Sequence, residues 1–227
     1  MQPLTLCFYK MTDEHQDLER IRSIIEGDGR EIREQFILAA VLLTILERLK
    51  QYVVNQVDTF FAVQLDLRDG KIQPVRGKEF KQMIKEWGEH KPGQHSKKEF
   101  RAALRWFLEQ DAIDKAEFDD VERYFVKRNE IGHELMEILL DHRKEKIHLI
   151  DVLKLFAIYV KIVRWWLKEI EAATNPDITQ EQYDSANWDE AESLETMLLK
   201  VIINKALAGN TEWEQIKGLW EHKTGLH

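Results

Sequence analysis

The sequence predicts an all-α protein: an antiparallel helical bundle with a small β-hairpin set into it and a helical extension at its C-terminal end. Three observations lead there. Only 4 Pro and 10 Gly occur in 227 residues, so turns are few and helices long. Apolar residues recur every three to four positions through most of the chain. The one stretch that breaks this rhythm, residues 63–75, alternates in twos. Hydrophobic residues make up 44%, enough for a real core. The length suits one large domain, read as a bundle over residues 1–175 with a helical appendage over 176–227 packed on it.

Taken in order, Thr12 followed by acidic residues can cap a short helix carrying Leu18, Ile21, Ile24 and Ile25, stopped by the Gly-Asp-Gly at 27–29. A long helix begins near Arg30 and keeps its period from Ile32 to Phe60. Over residues 36–46 nearly every face is apolar, which predicts a helix wrapped on all sides or paired with a second subunit. Val63, Leu65 and Leu67 alternate, Asp69-Gly70 supplies a type I′ turn, and Ile72 and Val75 follow, the pattern of a hairpin. A helix over 78–89 ends in the Lys-Pro-Gly-Gln-His loop, and Ser96 with Glu99 forms a capping box for the next. Asp114 with Glu117 caps a helix running to about His142. After a polar turn, residues 147–173 form a strongly apolar helix lying antiparallel to it. Residues 189–207 then make a helix stopped by Gly209-Asn210, and Thr211 with Glu214 caps a last one carrying Trp213, Ile216 and Trp220.

Composition excludes several classes. A single cysteine, Cys7, rules out an intrachain disulfide framework and fits a reducing cytosol. The opening residues lack the basic and apolar regions of a secretory signal. The longest uncharged run, residues 36–46, is far short of the ~20 residues that span a bilayer, so a soluble, cytoplasmic protein without a membrane partner is expected. A net charge of −8 argues against indiscriminate nucleic-acid binding. The charge is uneven, however. Residues 76–105 hold nine Lys/Arg against four Glu, whereas 181–221 hold nine Asp/Glu against three Lys. A local phosphate-binding face on an acidic protein is therefore allowed, beside the plainer reading of solvated helix faces.

Residues 121–140 carry the chemistry. On a helix at about 100° per residue, Val121, Tyr124, Phe125, Leu135 and Leu139 fall within roughly 60° of one line. Arg128 lies at the centre of that line and Gly132 beside it, while Asn129 and His133 share the polar flank. A guanidinium in an apolar seam costs several kcal/mol unless paired or facing a wet cleft. Glycine within a helix loses about 1 kcal/mol against alanine. Two such penalties one turn apart suggest a site. The plainer alternative is that Arg128 snorkels past a packed neighbour and Gly132 is a close-packing notch.

Other chemistries are missing their residues. His133-Glu134-Leu135-Met136-Glu137 fails the zinc-protease pattern because position 137 is Glu. The pairs His90/His95 and His142/His148 are not at helical spacing. Neither a phosphate loop nor a dinucleotide-binding glycine motif occurs, and no cofactor or metal is expected. What remains for Arg128, Asn129 and His133 is metal-independent chemistry on a phosphodiester. Imidazole can act as general acid or base near neutrality, guanidinium can clamp equatorial phosphate oxygens, and asparagine can hold an oxygen or fix the His tautomer.

The run Arg128-Asn129-Glu130-Ile131-Gly132-His133 resembles the signature of the HEPN superfamily, Arg and a polar residue followed a few positions on by His. The resemblance covers about residues 31–172. It implies a helical bundle whose Arg and His act in endoribonuclease chemistry, leaving a 2′,3′-cyclic phosphate and a 5′-hydroxyl on the RNA. It also implies a homodimer in which two motif helices form one composite cleft, and a host-defence or toxin setting with an antitoxin or regulatory protein as partner. Some members are instead silent modules that dimerise or bind a nucleotide or a partner protein. Two positions bear on the match. Some family toxins carry a modifiable tyrosine two residues after the His, where this chain has Leu135. Glu47 and Arg48 are candidates for the polar residue some members bring from the first long helix, although ordinary surface pairing is the simpler account of both.

Overall fold

A 31-residue helix, α1 (Arg30–Phe60), is the element the others pack around. Its buried line, Leu38, Leu42, Ile45, Leu49, Val53 and Val57, follows the three-to-four spacing, and each such side chain removed from water contributes roughly 1.5–3 kcal/mol. Gly29 begins it at φ 69°, a left-handed conformation that glycine adopts without penalty. The computed structural model describes residues 15–16, 18–22, 25–68, 71–88, 98–141 and 143–224. Cys7, the Thr12 cap, the Asp69-Gly70 turn, the His90/His95 loop, the Ser96 cap and His142 lie outside them.

The hairpin expected at 63–75 is present as β1 (Ala62–Arg68) and β2 (Lys71–Arg76), antiparallel, with Leu67 opposite Ile72 and Arg68 opposite Lys71. A register irregularity between Ala62 and Gln64 bends it where it leaves α1. Helix α2 (Lys78–Trp87) follows and ends at Gly88, where a Cβ would stand 2.5 Å from the Ile84 carbonyl oxygen and 2.8 Å from that of Lys98. Helix α3 (Lys98–Glu109) brings Phe100, Leu104 and Phe107 to the core. At one end of the bundle Phe61, Phe80, Trp106, Phe107 and Trp166 pack ring to ring, with centroids 5.2–6.3 Å apart.

The motif helix is α4 (Lys115–Leu140), opened by the expected capping box, in which the Glu117 N–H donates to Asp114 Oδ1 and the Asp114 N–H to Glu117 Oε2, both at 2.8 Å. Helix α5 (Leu149–Trp166) runs on as a π-helical segment, Leu167–Ala172. Lys161 pairs with Glu117 at 2.7 Å and Lys127 with Asp151 at 3.3 Å, so ascending positions on α4 meet descending ones on α5. The two helices are antiparallel. Gln35, buried on α1, holds the start of α5 by accepting from the Ile147 N–H at 2.9 Å and donating to its carbonyl at 3.1 Å.

The C-terminal part comprises α6 (Gln180–Ser185), α7 (Leu194–Leu207) and α8 (Thr211–Thr224). Two boundaries differ from the sequence reading. Helix α7 starts at 194 rather than 189, because Trp188–Glu190 forms a 3₁₀ turn and Ser193 caps the helix through the Thr196 N–H at 3.2 Å. The cap of α8 is Asn210 rather than Thr211, its Oδ1 accepting from the Trp213 N–H at 2.8 Å. Leu199, Ile203, Leu207 and Trp213 belong to the same continuous core as α1 and α5. No helix among the described residues is long and apolar enough to cross a membrane.

Candidate functional site

Helix α4 changes the face it buries as it goes. Its first turns bury Phe118, Val121 and Phe125 against α3, where Phe125 meets Phe100 at 4.6 Å and Glu122 faces Arg101 at 3.9 Å. Further on it buries Lys127, Ile131 and Ile138. At 100° per residue, Lys127 and Ile131 lie roughly 130° around the axis from the mean direction of Phe118, Val121 and Phe125. Arg128 and Gly132, on the centre line of the first sector, thereby turn outward.

This corrects the expectation of a guanidinium in an apolar seam. The Arg128 side chain is 41% exposed, and the buried cation of the helix is Lys127, held by Asp151 and the Lys146 carbonyl at 3.3 Å each. Gly132 is not a packing notch within the protomer either: a Cβ there would meet nothing within 4 Å.

Arg128 is held across helices. Its Nη2 donates to Glu47 Oε1 on α1 at 2.8 Å, and its Nη1 to Asn129 Oδ1 at 3.3 Å. Glu47 also accepts from Lys50 Nζ at 2.9 Å, so Lys50, Glu47, Arg128 and Asn129 form one hydrogen-bonded row. The Lys50 hydrogen bond, reinforced by the charges of Lys50 and Arg128, holds the Glu47 carboxyl below the usual carboxylate range. Sequence reasoning left Glu47 as an ordinary surface pair. An acidic residue at a core-flanking position of the central helix was the only local signal, and the partner is 81 residues away.

His133 is exposed and makes no hydrogen bond to any described residue. It sits one residue before a break in α4, where Glu134 leaves helical geometry at φ −125°, ψ 19°. Lys144 braces that break by pairing with Glu134 and, at 3.7 Å, with Glu137. Arg20 closes the end of the helix, its Nε donating to the Leu139 carbonyl at 2.6 Å and its Nη2 to that of Ile138 at 3.1 Å.

The structure therefore brings Arg128, Asn129 and Glu47 together, with His133 exposed farther along α4. Five residues of helix place His133 about 140° around the axis from Arg128. Asn129 lies between them, about 100° around the axis from Arg128 and about 40° from His133. Of the basic run, Lys78, Lys81 and Lys85 are exposed on α2, whereas Arg101 is buried against Glu122 and is not part of any surface. No protein-family model matches the chain, and neither the curated proteins nor the solved structures contain a match.

Proposed function

We propose that the protein is a metal-independent endoribonuclease of the HEPN type, acting as a homodimer. The observation that carries this reading is the cross-helix hold on Arg128. Glu47 and Asn129 fix a half-exposed guanidinium at the surface, five residues along α4 from an exposed histidine that has no packing task. Because the two side chains diverge around α4, a shared phosphate needs Arg128 from one motif helix and His133 from another, which a two-fold pair supplies.

In that cleft the ribose 2′-hydroxyl attacks phosphorus while an imidazole takes its proton. The P–O5′ bond breaks, and the leaving oxygen is protonated by an imidazolium. Arg128 neutralises the equatorial oxygens of the crowded phosphorus, and Asn129 fixes their orientation. Products are a 2′,3′-cyclic phosphate and a 5′-hydroxyl. The test is cleavage of mixed RNA in EDTA by the wild type, Arg128→Met and His133→Ala. Both variants should lose activity, His133→Ala by ~10²–10⁴-fold. Full activity in both removes these residues from the mechanism.

A second reading draws on the same ion pair. If Arg128 only ties α4 to α1, the protein is a non-catalytic module for a nucleotide or a partner protein. The wild type then leaves RNA intact.

A further inference from the structure

Helices α1 and α7 meet along an apolar groove from Ile37 to Ile45, and the contact changes character at Arg48. Arg48, Gln51, Tyr52, Asn55 and Gln56 follow at the i, i+3, i+4, i+7, i+8 spacing that apolar residues keep on the buried side of this helix. With Glu195 from the first turn of α7 they line a polar cavity of about 300 Å³. The Arg48–Glu195 pair is loose, at 3.8 Å, so neither charge fills the other's hydrogen bonds. Behind them stands Tyr159 of α5, fully buried, its ring 5.8 Å from that of Tyr52. The Tyr159 hydroxyl faces Glu195 but completes no hydrogen bond among the described residues. Burial and the Glu195 charge push this hydroxyl above the ordinary phenol range, so it stays protonated, a donor without an acceptor. A buried polar group in that state calls for a partner.

We infer that this cavity is a guanine-binding pocket. Guanine is the base whose edge sets two adjacent acceptors, N7 and O6, beside two adjacent donors, N1–H and N2–H. Arg48 offers only donors and Glu195 only acceptors, and the two stand side by side. Adenine would turn the lone pair of N1 toward the carboxylate, and each pyrimidine offers it one donor group rather than two. The amides of Gln51 and Asn55, exposed at the rim, suit the ribose hydroxyls. A guanine bound there fixes Glu195, and with it the acceptor that Tyr159 lacks.

Binding of the base does not depend on RNA cleavage. That the pocket chooses where RNA is cut rests on the ribonuclease reading, and α1 supplies the link. Around its axis Gln51 lies about 40° from Glu47, Asn55 about 80° and Arg48 about 100°. All three are exposed, so an open face of α1 leads from Glu47, which holds Arg128, to the pocket. An unpaired guanosine in the pocket then places a nearby phosphodiester of the same strand at Arg128.

Calorimetric titration of the full chain with guanosine 5′-monophosphate should show saturable binding, favoured over the adenosine, cytidine and uridine monophosphates by roughly 10- to 100-fold. Inosine 5′-monophosphate, which lacks the N2 amine, should bind more weakly than the guanosine compound. Glu195→Gln should lose the preference and keep its melting temperature within a few degrees, because the pair with Arg48 is half-exposed. A tighter hold on an oligonucleotide with one unpaired guanosine than on the monophosphate marks RNA as the source of the base, and the reverse marks a free nucleotide. Absence of a guanine preference overturns the inference, as does a preference that survives Glu195→Gln. Cleavage of RNA in EDTA is scored separately. Guanine binding without cleavage leaves the pocket standing and removes the ribonuclease reading, whereas cleavage without guanine binding does the opposite.

Discussion

Arg128 and Glu47 form the pair on which the site is built, and both are substantially exposed, at 41% and 37%. A pair that wet contributes ~0–1 kcal/mol to stability. Arg128→Met should therefore hold its melting temperature within a few degrees while losing RNA cleavage by ~10²–10³-fold, the usual cost of a charged transition-state donor. Thermal melts and cleavage assays on the same preparation check this. Glu47→Gln gives the pH counterpart. The Glu47 carboxyl is depressed in the fold, mainly by the Lys50 hydrogen bond, so its contribution is present above the ordinary value of 4.5 and is lost as pH falls through the lowered folded value. The melting difference between wild type and Glu47→Gln should be small and constant near neutrality and should close in acid. Arg128, Asn129 and His133 were singled out in the sequence on the premise of one continuous apolar line, which α4 does not keep; the structure leaves Arg128 41% exposed. Glu47 was not legible, because only the packing of α4 on α1 makes the contact.

At the scale of elements, local sequence signals gave the long helices, the hairpin and the Asp114 capping box, since each depends on neighbours within a few positions; the short α6, which buries no side chain, left no apolar period and was read as a linker. Periodicity misjudged which face of α4 is buried. One line drawn through Val121–Leu139 assumes a constant contact surface, whereas α4 leaves α3 midway and finishes against other elements. The starts of α7 and α8 moved for a related reason: several residues near each start can cap, and Ser193 and Asn210 rather than their neighbours hold the bonds. Gly132 tests what the outward turn is for. In one copy a methyl there meets open space, so Gly132→Ala should stabilise by about 0.5–1 kcal/mol. That is roughly 1–4 °C for a chain of this size. If the glycine admits a facing motif helix or the RNA, cleavage should fall in the variant while its melting temperature rises. A rise in both melting temperature and cleavage would show that nothing approaches Gly132 closely.

For the whole molecule, the question is whether the C-terminal helices are an appendage or part of one folding unit. Composition invited the first view, because residues 181–221 are acidic and the bundle motif ends before them. The core speaks for integration. Trp213 is fully buried, and Leu199, Ile203 and Leu207 join the apolar cluster that α1 and α5 build. Lys200, fully buried, pairs with Glu192, which also pairs with Arg164 of α5 at 3.4 Å, so a charged clasp fastens α7 to the bundle. Removing a large buried aromatic costs about 3–5 kcal/mol. Each kcal/mol lowers the melting temperature by roughly 2–4 °C at this chain length. Trp213→Ala should therefore lower the midpoint of the whole transition by about 6–20 °C. Far-UV circular dichroism and tryptophan fluorescence should still report coincident curves, because α7 and α1 cannot lose their shared core separately. An independent appendage would behave differently: the variant would show an early, partial unfolding step, and the main transition would stay where it is in the wild type.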